Sequence, residues 1–109
     1  MGDAVEFALE IEPRDDALVV RVGGELDMAN AESFEEALTA SPEASHVVID
    51  LRACTFLDST GMRAIAFATR RAGRVSIVAT DPGVLRVLEI TALDTIVAIH
   101  PSLEVALAR

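Results

Sequence analysis

Apolar and polar positions alternate along Phe7-Ala8-Leu9-Glu10-Ile11, as they do in a half-buried strand. Pro13-Arg14-Asp15-Asp16 reads as a turn. Leu18 to Val22 is a second strand, and the short connection makes it antiparallel to the first. Gly23-Gly24 ends or bends that strand. Asn30 stands as the N-cap of a helix whose apolar spacing is Phe34, Ala37 and Leu38, and Ser41-Pro42 stops it. Val47-Val48-Ile49 is apolar on both faces, the mark of a central parallel strand covered by helices. The apolar run extends from His46 to Leu57, and an amphipathic helical pattern follows from Met62 to Ala72. Gly73 is placed to end that helix as its C′ residue. Val75 to Ala79 is another buried strand. Asp81-Pro82 puts a capping carboxylate before a proline at the first helical position, in a helix burying Val84, Leu85 and Leu88. Thr95 to Ile99 is the last strand, and Ser102 caps a terminal helix through Ala108.

The order is β-β-α-β-α-β-α-β-α. Two opening strands followed by alternating βα units predict an α/β fold with a mixed, mostly parallel sheet covered by helices. The 109 residues suit one domain over 1–109, with its core over about 5–108. No internal repeat, low-complexity tract or linker interrupts it.

Composition narrows the function. Hydrophobic residues are 51% of the chain but aromatics only 4%, so aliphatic side chains must fill the core. The net charge of −9 argues against a nucleic-acid partner, which needs clustered positive charge, and equally against an anionic membrane surface. Every basic residue is Arg; without lysine there is no Schiff-base or P-loop chemistry. The single Cys54 has no disulfide partner within the chain and reads as a buried thiol of a reducing compartment. No apolar run reaches the length of a membrane span, and the acidic N-terminus lacks the layout of a signal peptide. A cytoplasmic protein is the expectation.

Asp58-Ser59-Thr60-Gly61 sits where the long apolar run hands over to a helix. The first N–H groups of a helix lack intrahelical acceptors, so this spot is electropositive. A serine there either caps the helix or is open to modification. Helical spacing puts Met62, Ile65, Ala66, Thr69 and Gly73 on one side, suited to packing on a sheet. It puts Ser59, Arg63, Phe67, Arg70 and Arg74 on the other. That second stripe is either a solvated arginine face with one stray aromatic or a docking surface for an acidic partner. In the docking reading Phe67 is the apolar anchor, with Arg63 and Arg70 around it. A phosphate on Ser59 would add roughly −1.5 to −2 charges at the head of that surface, with Arg63 one turn on and Asp58 repelling it.

Two motifs in register, Gly24-Glu25-Leu26-Asp27 and Asp58-Ser59-Thr60-Gly61-Met62, resemble those of the STAS domain family. The likeness is to its stand-alone bacterial anti-sigma-factor antagonists and covers roughly Val5 to Ala108. It extends to Val47 through Leu57 and to the closing Pro101-Ser102-Leu103-Glu104-Val105-Ala106-Leu107 helix. The resemblance implies a partner-switching protein. Its unphosphorylated form binds an anti-sigma factor that is also a serine kinase with a GHKL-type ATP site, and so frees the sigma factor. The kinase phosphorylates the first hydroxyl residue after the motif aspartate, here Ser59, and the phosphorylated form lets go. A metal-dependent serine phosphatase reverses this. Nucleotide and metal belong to those partners, so no cofactor is expected in this chain, which is expected to be a monomer when free. Asp27 and Asp58 match the family's motif aspartates. The expected partner-binding set is Asp27, Asp58, Thr60 and Gly61 from the motifs, with Arg63, Phe67 and Arg70 from the helix face. Arg63 and Phe67 stand where the family is expected to carry smaller or aliphatic residues, which leaves the partner's identity open.

The alternative is a STAS binding module without phosphorylation, serving a transporter, a stressosome or a lipid-transport complex, with Ser59 as an N-cap only. Intrinsic catalysis is not expected. Asp-Ser-Thr-Gly has one residue too many for an aspartic-protease motif and no second copy. There is no G-x-S-x-G elbow, His46 and His100 lie at strand ends without a triad arrangement, and no Cys/His metal spacing exists. A receiver domain would need a lysine and an acidic pair after its first strand, and an acyl carrier protein would be all-helical.

Overall fold

A computed structural model describes residues 6–40 and 44–108. The chain runs β1 (Ala8–Arg14), β2 (Ala17–Leu26), α1 (Ala31–Ala37), β3 (His46–Leu57), α2 (Ser59–Arg71), β4 (Arg74–Val78), α3 (Pro82–Ile90), a short 3₁₀ turn (Leu93–Thr95), β5 (Ala98–His100) and α4 (Leu103–Ala108). The element order is the one expected from the sequence. The sheet has five strands in the order β1-β2-β3-β4-β5. β1 pairs antiparallel with β2, and every later neighbour is parallel.

Three successive crossovers in one direction across the sheet put α1, α2 and α3 on one face, as right-handed connections require. The main core lies there. Leu18, Val20 and Val22 of β2, Val47, Ile49 and Leu51 of β3 and Ile77 of β4 meet Phe34, Ile65 and Leu88 from the three helices. Full burial of each such side chain contributes about 1.5–3 kcal/mol. On the opposite face α4 lays Leu103 and Ala106 on Val19, Val48 and Val78. There too, His46 and Ser76 share a buried hydrogen bond of 2.9 Å.

The half of that face over β1 and β2 carries a charge cluster beside an open cavity. Asp50 is only 4% exposed and takes a bidentate grip from Arg52, at 3.0 and 2.8 Å. Arg21 lies 3.6 Å from Asp50 and 2.8 Å from Glu12. Burial pushes the Asp50 carboxyl up, but the Arg52 hydrogen bonds and the charges of Arg52 and Arg21 outweigh it, and the net direction is down.

Several boundaries differ from the sequence-based expectation. β1 runs on through Pro13 and Arg14, and the turn is confined to Asp15-Asp16, with Asp15 at φ 55°. Pro13 is tolerated because β1 is an edge strand. Gly23-Gly24 bends β2 without ending it: the β2–β3 register shifts on either side of the pair, and Gly24 sits at φ 83°. A Cβ on Gly24 would lie 2.7 Å from the Glu6 carbonyl oxygen, so that close crossing of chains needs glycine. α2 stops at Arg71 with Ala72, in extended conformation, as its C-cap, which leaves Gly73 in the expected C′ place. The last strand is Ala98–His100, because residues 93–95 wind into a 3₁₀ turn that drives Leu93 into the core. Asp81 and Ser102 cap α3 and α4 as expected, accepting from the N–H of Val84 at 3.1 Å and of Val105 at 3.2 Å. Ser41-Pro42 lies outside the described residues.

Candidate functional site

β2 and β3 finish side by side, with Leu26 opposite Leu57. Both sequence motifs therefore arrive at one end of the sheet, the carboxyl end of the parallel strands. Both leucines point into the core and anchor that end. The Asp58 N–H reaches the Leu26 carbonyl at 3.4 Å. Gly61 is buried directly against the same carbonyl, and a Cβ there would also lie 2.8 Å from Leu57 Cδ1. The Gly-Glu-Leu-Asp and Asp-Ser-Thr-Gly stretches are thus one packed unit.

Asp27 builds the loop that opens this end. Its carbonyl accepts from the N–H of Asn30 at 3.0 Å and of Ala31 at 2.9 Å. Its carboxylate accepts from the Ala29 N–H at 3.0 Å and from Asn30 Nδ2 at 3.2 Å. Asn30 stands at the expected N-cap position, but its side chain makes no cap bond; its amide turns back to the Glu25 carbonyl at 2.8 Å. Asp27 is a loop-former first, and its half-buried carboxylate is held by these donors.

The cap of α2 is Asp58, whose Oδ1 accepts from the Gly61 N–H at 2.9 Å. That removes the capping role from Ser59. Ser59 is the first helical residue, and it is exposed. Its hydroxyl makes no hydrogen bond among the described residues. Thr60 beside it is half-buried.

The helix face holds two departures from the spacing argument. Met62 and Ile65 are buried as expected, but so are Gly61, Ala64 and Ala68, while Ala66 and Thr69 are only half-buried. The buried arc is rotated because α2 packs on α1 as well as on the sheet, near Leu38. Arg74 is off the helix altogether, as the first residue of β4. Arg63 and Arg70 are exposed and enter no ion pair among the described residues. Phe67 is half-buried in a crevice with Leu38, Ala44 and Val47, and its ring is covered by Arg71, whose guanidinium carbon lies 5.1 Å from the ring centroid. The exposed stripe of α2 is therefore Ser59, Arg63 and Arg70 beside a half-buried Phe67, not a free aromatic between three helical arginines.

Two residues at this end were not singled out from the sequence. Met28 is 79% exposed in the loop built by Asp27, and Phe56 is 49% exposed beside Glu25. The signal was an apolar residue within a polar loop and one at the outward phase of a strand. Single exposed apolar side chains are common, and these two add apolar area beside the motifs. No group of three or more His, Cys, Asp or Glu side chains suited to a metal occurs among the described residues. No helix among them is long and apolar enough to cross a membrane.

A model of the STAS domain matches residues 8–106. The chain belongs to the STAS domain family. Among STAS relatives, the anti-sigma-F factor antagonist RsfB of Mycobacterium tuberculosis is 30% identical over 94 residues, covering 82% of this chain and 77% of that protein. The crystal structure of an anti-sigma factor antagonist from Mycobacterium paratuberculosis superposes with a TM-score of 0.86 at 33% identity, covering 94% of this chain and 92% of that one. The Bacillus cell fate determinant SpoIIAA, solved in its phosphorylated form, shares the STAS fold with a TM-score of 0.73 at 20% identity, over 94% of this chain and 98% of that one.

Proposed function

We propose that this chain is an anti-sigma-factor antagonist working by partner switching, with Ser59 as its phosphorylation site. The observation that carries the site assignment is the division of labour at the start of α2: Asp58 caps the helix, and the adjacent Ser59 hydroxyl is left exposed and unbonded. The named activity of the mycobacterial relatives supports the partner class, an anti-sigma factor. The phosphorylated form of SpoIIAA shares this fold.

In the unphosphorylated state the partner meets a surface formed by Asp27, Asp58, Thr60 and Gly61 at the strand ends, and by Arg63, Arg70 and the edge of Phe67 along α2. Met28 and Phe56 add apolar area beside it. A kinase of the GHKL type takes the Ser59 proton, and the hydroxyl oxygen attacks the γ-phosphoryl of ATP; an O–P bond forms at Ser59 and ADP leaves. The product places roughly −1.5 to −2 charges where the partner sat, beside Asp58 and Asp27. Like-charge juxtaposition and desolvation of the phosphate then release the partner. A metal-dependent serine phosphatase hydrolyses the ester. The protein acts in the cytoplasm as a binding protein without chemistry of its own.

The test is to incubate the protein with ATP and an anti-sigma factor of the kinase class from the same genome. The expected result is one phosphate per chain at Ser59, absent in Ser59→Ala, and weaker anti-sigma binding by Ser59→Glu. Equal labelling of Ser59→Ala, or an unchanged dissociation constant for Ser59→Glu, would sink the reading.

A further inference from the structure

We propose that Arg63 receives the charge placed on Ser59, so that phosphorylation adds a negative group to the docking surface and at the same time withdraws a positive one. This rests on the reading of Ser59 as the phosphorylated residue.

Arg63 follows Ser59 by four residues on one continuous helix, α2. Side chains four apart are neighbours on the helix surface, with Cβ atoms about 5–6 Å from each other, and an acid on the N-terminal side of the base is the better orientation. Arg14, Arg21 and Arg52 are held by carboxylates. Arg63 is exposed and has no ion pair among the described residues. Nor does its own helix offer one: residues 59–80 contain no Asp or Glu. At this end of the sheet Asp58 is engaged with the Gly61 N–H and Asp27 with Ala29 and Asn30, and exposed Glu25 makes no ion pair with Arg63. A phosphate on Ser59 is therefore the first strong anion within reach of a guanidinium that has nothing else to hold. A planar guanidinium matches phosphate oxygens with two parallel hydrogen bonds.

The consequence is a switch with two parts. Before modification Arg63 projects from the surface and is available to an acidic patch on the partner. Afterwards it folds back over the first turn of α2 onto the phosphate. The partner loses a cation and meets an anion.

Phosphoserine incorporated at position 59 during translation tests this without a kinase, and ³¹P NMR follows the phosphate as pH is varied. Arg63 stabilises the dianion, so its loss raises the second ionisation of the phosphate. Arg63→Gln is expected to raise the midpoint by about 0.2–0.4 unit. Arg63→Lys is expected to keep most of the wild-type value. Arg70→Gln, exposed but two turns further along, is expected to leave it unchanged. A wild-type midpoint in Arg63→Gln, or an equal shift in Arg70→Gln, overturns the pairing. Because the phosphate is installed directly, failure of a kinase to modify Ser59 would count against the functional reading alone, and an unmoved midpoint against Arg63 alone.

Discussion

The Cα of Gly61 rests on the carbonyl oxygen of Leu26, closer than any side chain permits. This contact joins the start of α2 to the end of β2 and makes one surface from two distant stretches of sequence. On an exposed helix an alanine would be favoured over glycine by about 1 kcal/mol. Here the added methyl meets backbone and the Leu57 side chain, neither of which yields cheaply. Gly61→Ala is expected to be destabilising by about 1–3 kcal/mol, read from the denaturant midpoint. A neutral or stabilised variant would mean that α2 is seated differently.

Neighbouring residues at the head of α2 are expected to differ sharply in their effect on stability. Asp58→Ala removes the bond to the Gly61 N–H and is expected to cost about 1 kcal/mol. Ser59→Ala removes an exposed hydroxyl that caps nothing and is expected to fall within about 0.5 kcal/mol of wild type. Thermal unfolding of both variants checks this, and the reverse ranking would restore the capping role to the serine.

The buried carboxylate of Asp50 predicts how the fold responds to acid. Its pKa is held below the usual 3.8, burial working against the Arg52 and Arg21 contacts and losing to them. A carboxyl depressed on folding contributes stability that is complete above its unfolded pKa and is lost as pH falls through its folded pKa. Asp50→Asn is expected to cost about 1–3 kcal/mol at neutral pH, the range for hydrogen bonds to charged groups. The gap between variant and wild type should begin to narrow as pH falls through the ordinary aspartate value of 3.8 and close only once pH passes the lowered folded value. Urea titrations at several pH values measure it, and a gap that persists undiminished into strong acid would contradict the pairing.

Cys54 gives a reporter of opening. Burial pushes its thiol pKa up, and its Sγ donates to the Phe56 carbonyl at 3.3 Å. The native protein is expected to resist a thiol reagent at pH 8 and to react fully once unfolded in urea. Rapid labelling under native conditions would show that the β3 end opens locally.

The order of strands and helices was legible from spacing alone because each strand or helix is strongly patterned, and the Asp81-Pro82 and Ser102 caps behave as their residue types dictate. What the sequence concealed were tertiary contacts. Asn30 has the residue type and position of a cap, yet Asp27 and Glu25 compete for its amide and win. Asp58 and Ser59 are both good caps in isolation, and which serves depends on where β3 stops. The spacing of α2 gave Met62 and Ile65 correctly but could not know that α1 lies alongside and buries Ala64 and Ala68 as well. The arginine stripe broke at Arg74 because the helix ends three residues earlier. The STAS likeness was readable because its two motifs are short, polar and fixed by one contact, Gly61 on Leu26.

Ser59 lies in the first turn of a helix that is tied to the sheet through Asp58 and Gly61. An enzyme acting on this hydroxyl meets a rigid three-dimensional shape rather than a pliable strip of chain. A synthetic peptide spanning 53–66 would carry every letter of the motif and none of that shape, since so short a helix is marginal in water. Under the proposed phosphorylation of Ser59, recognition would be conditional on folding: a kinase would modify the folded protein and not the isolated peptide, so that only molecules able to bind the partner would be switched.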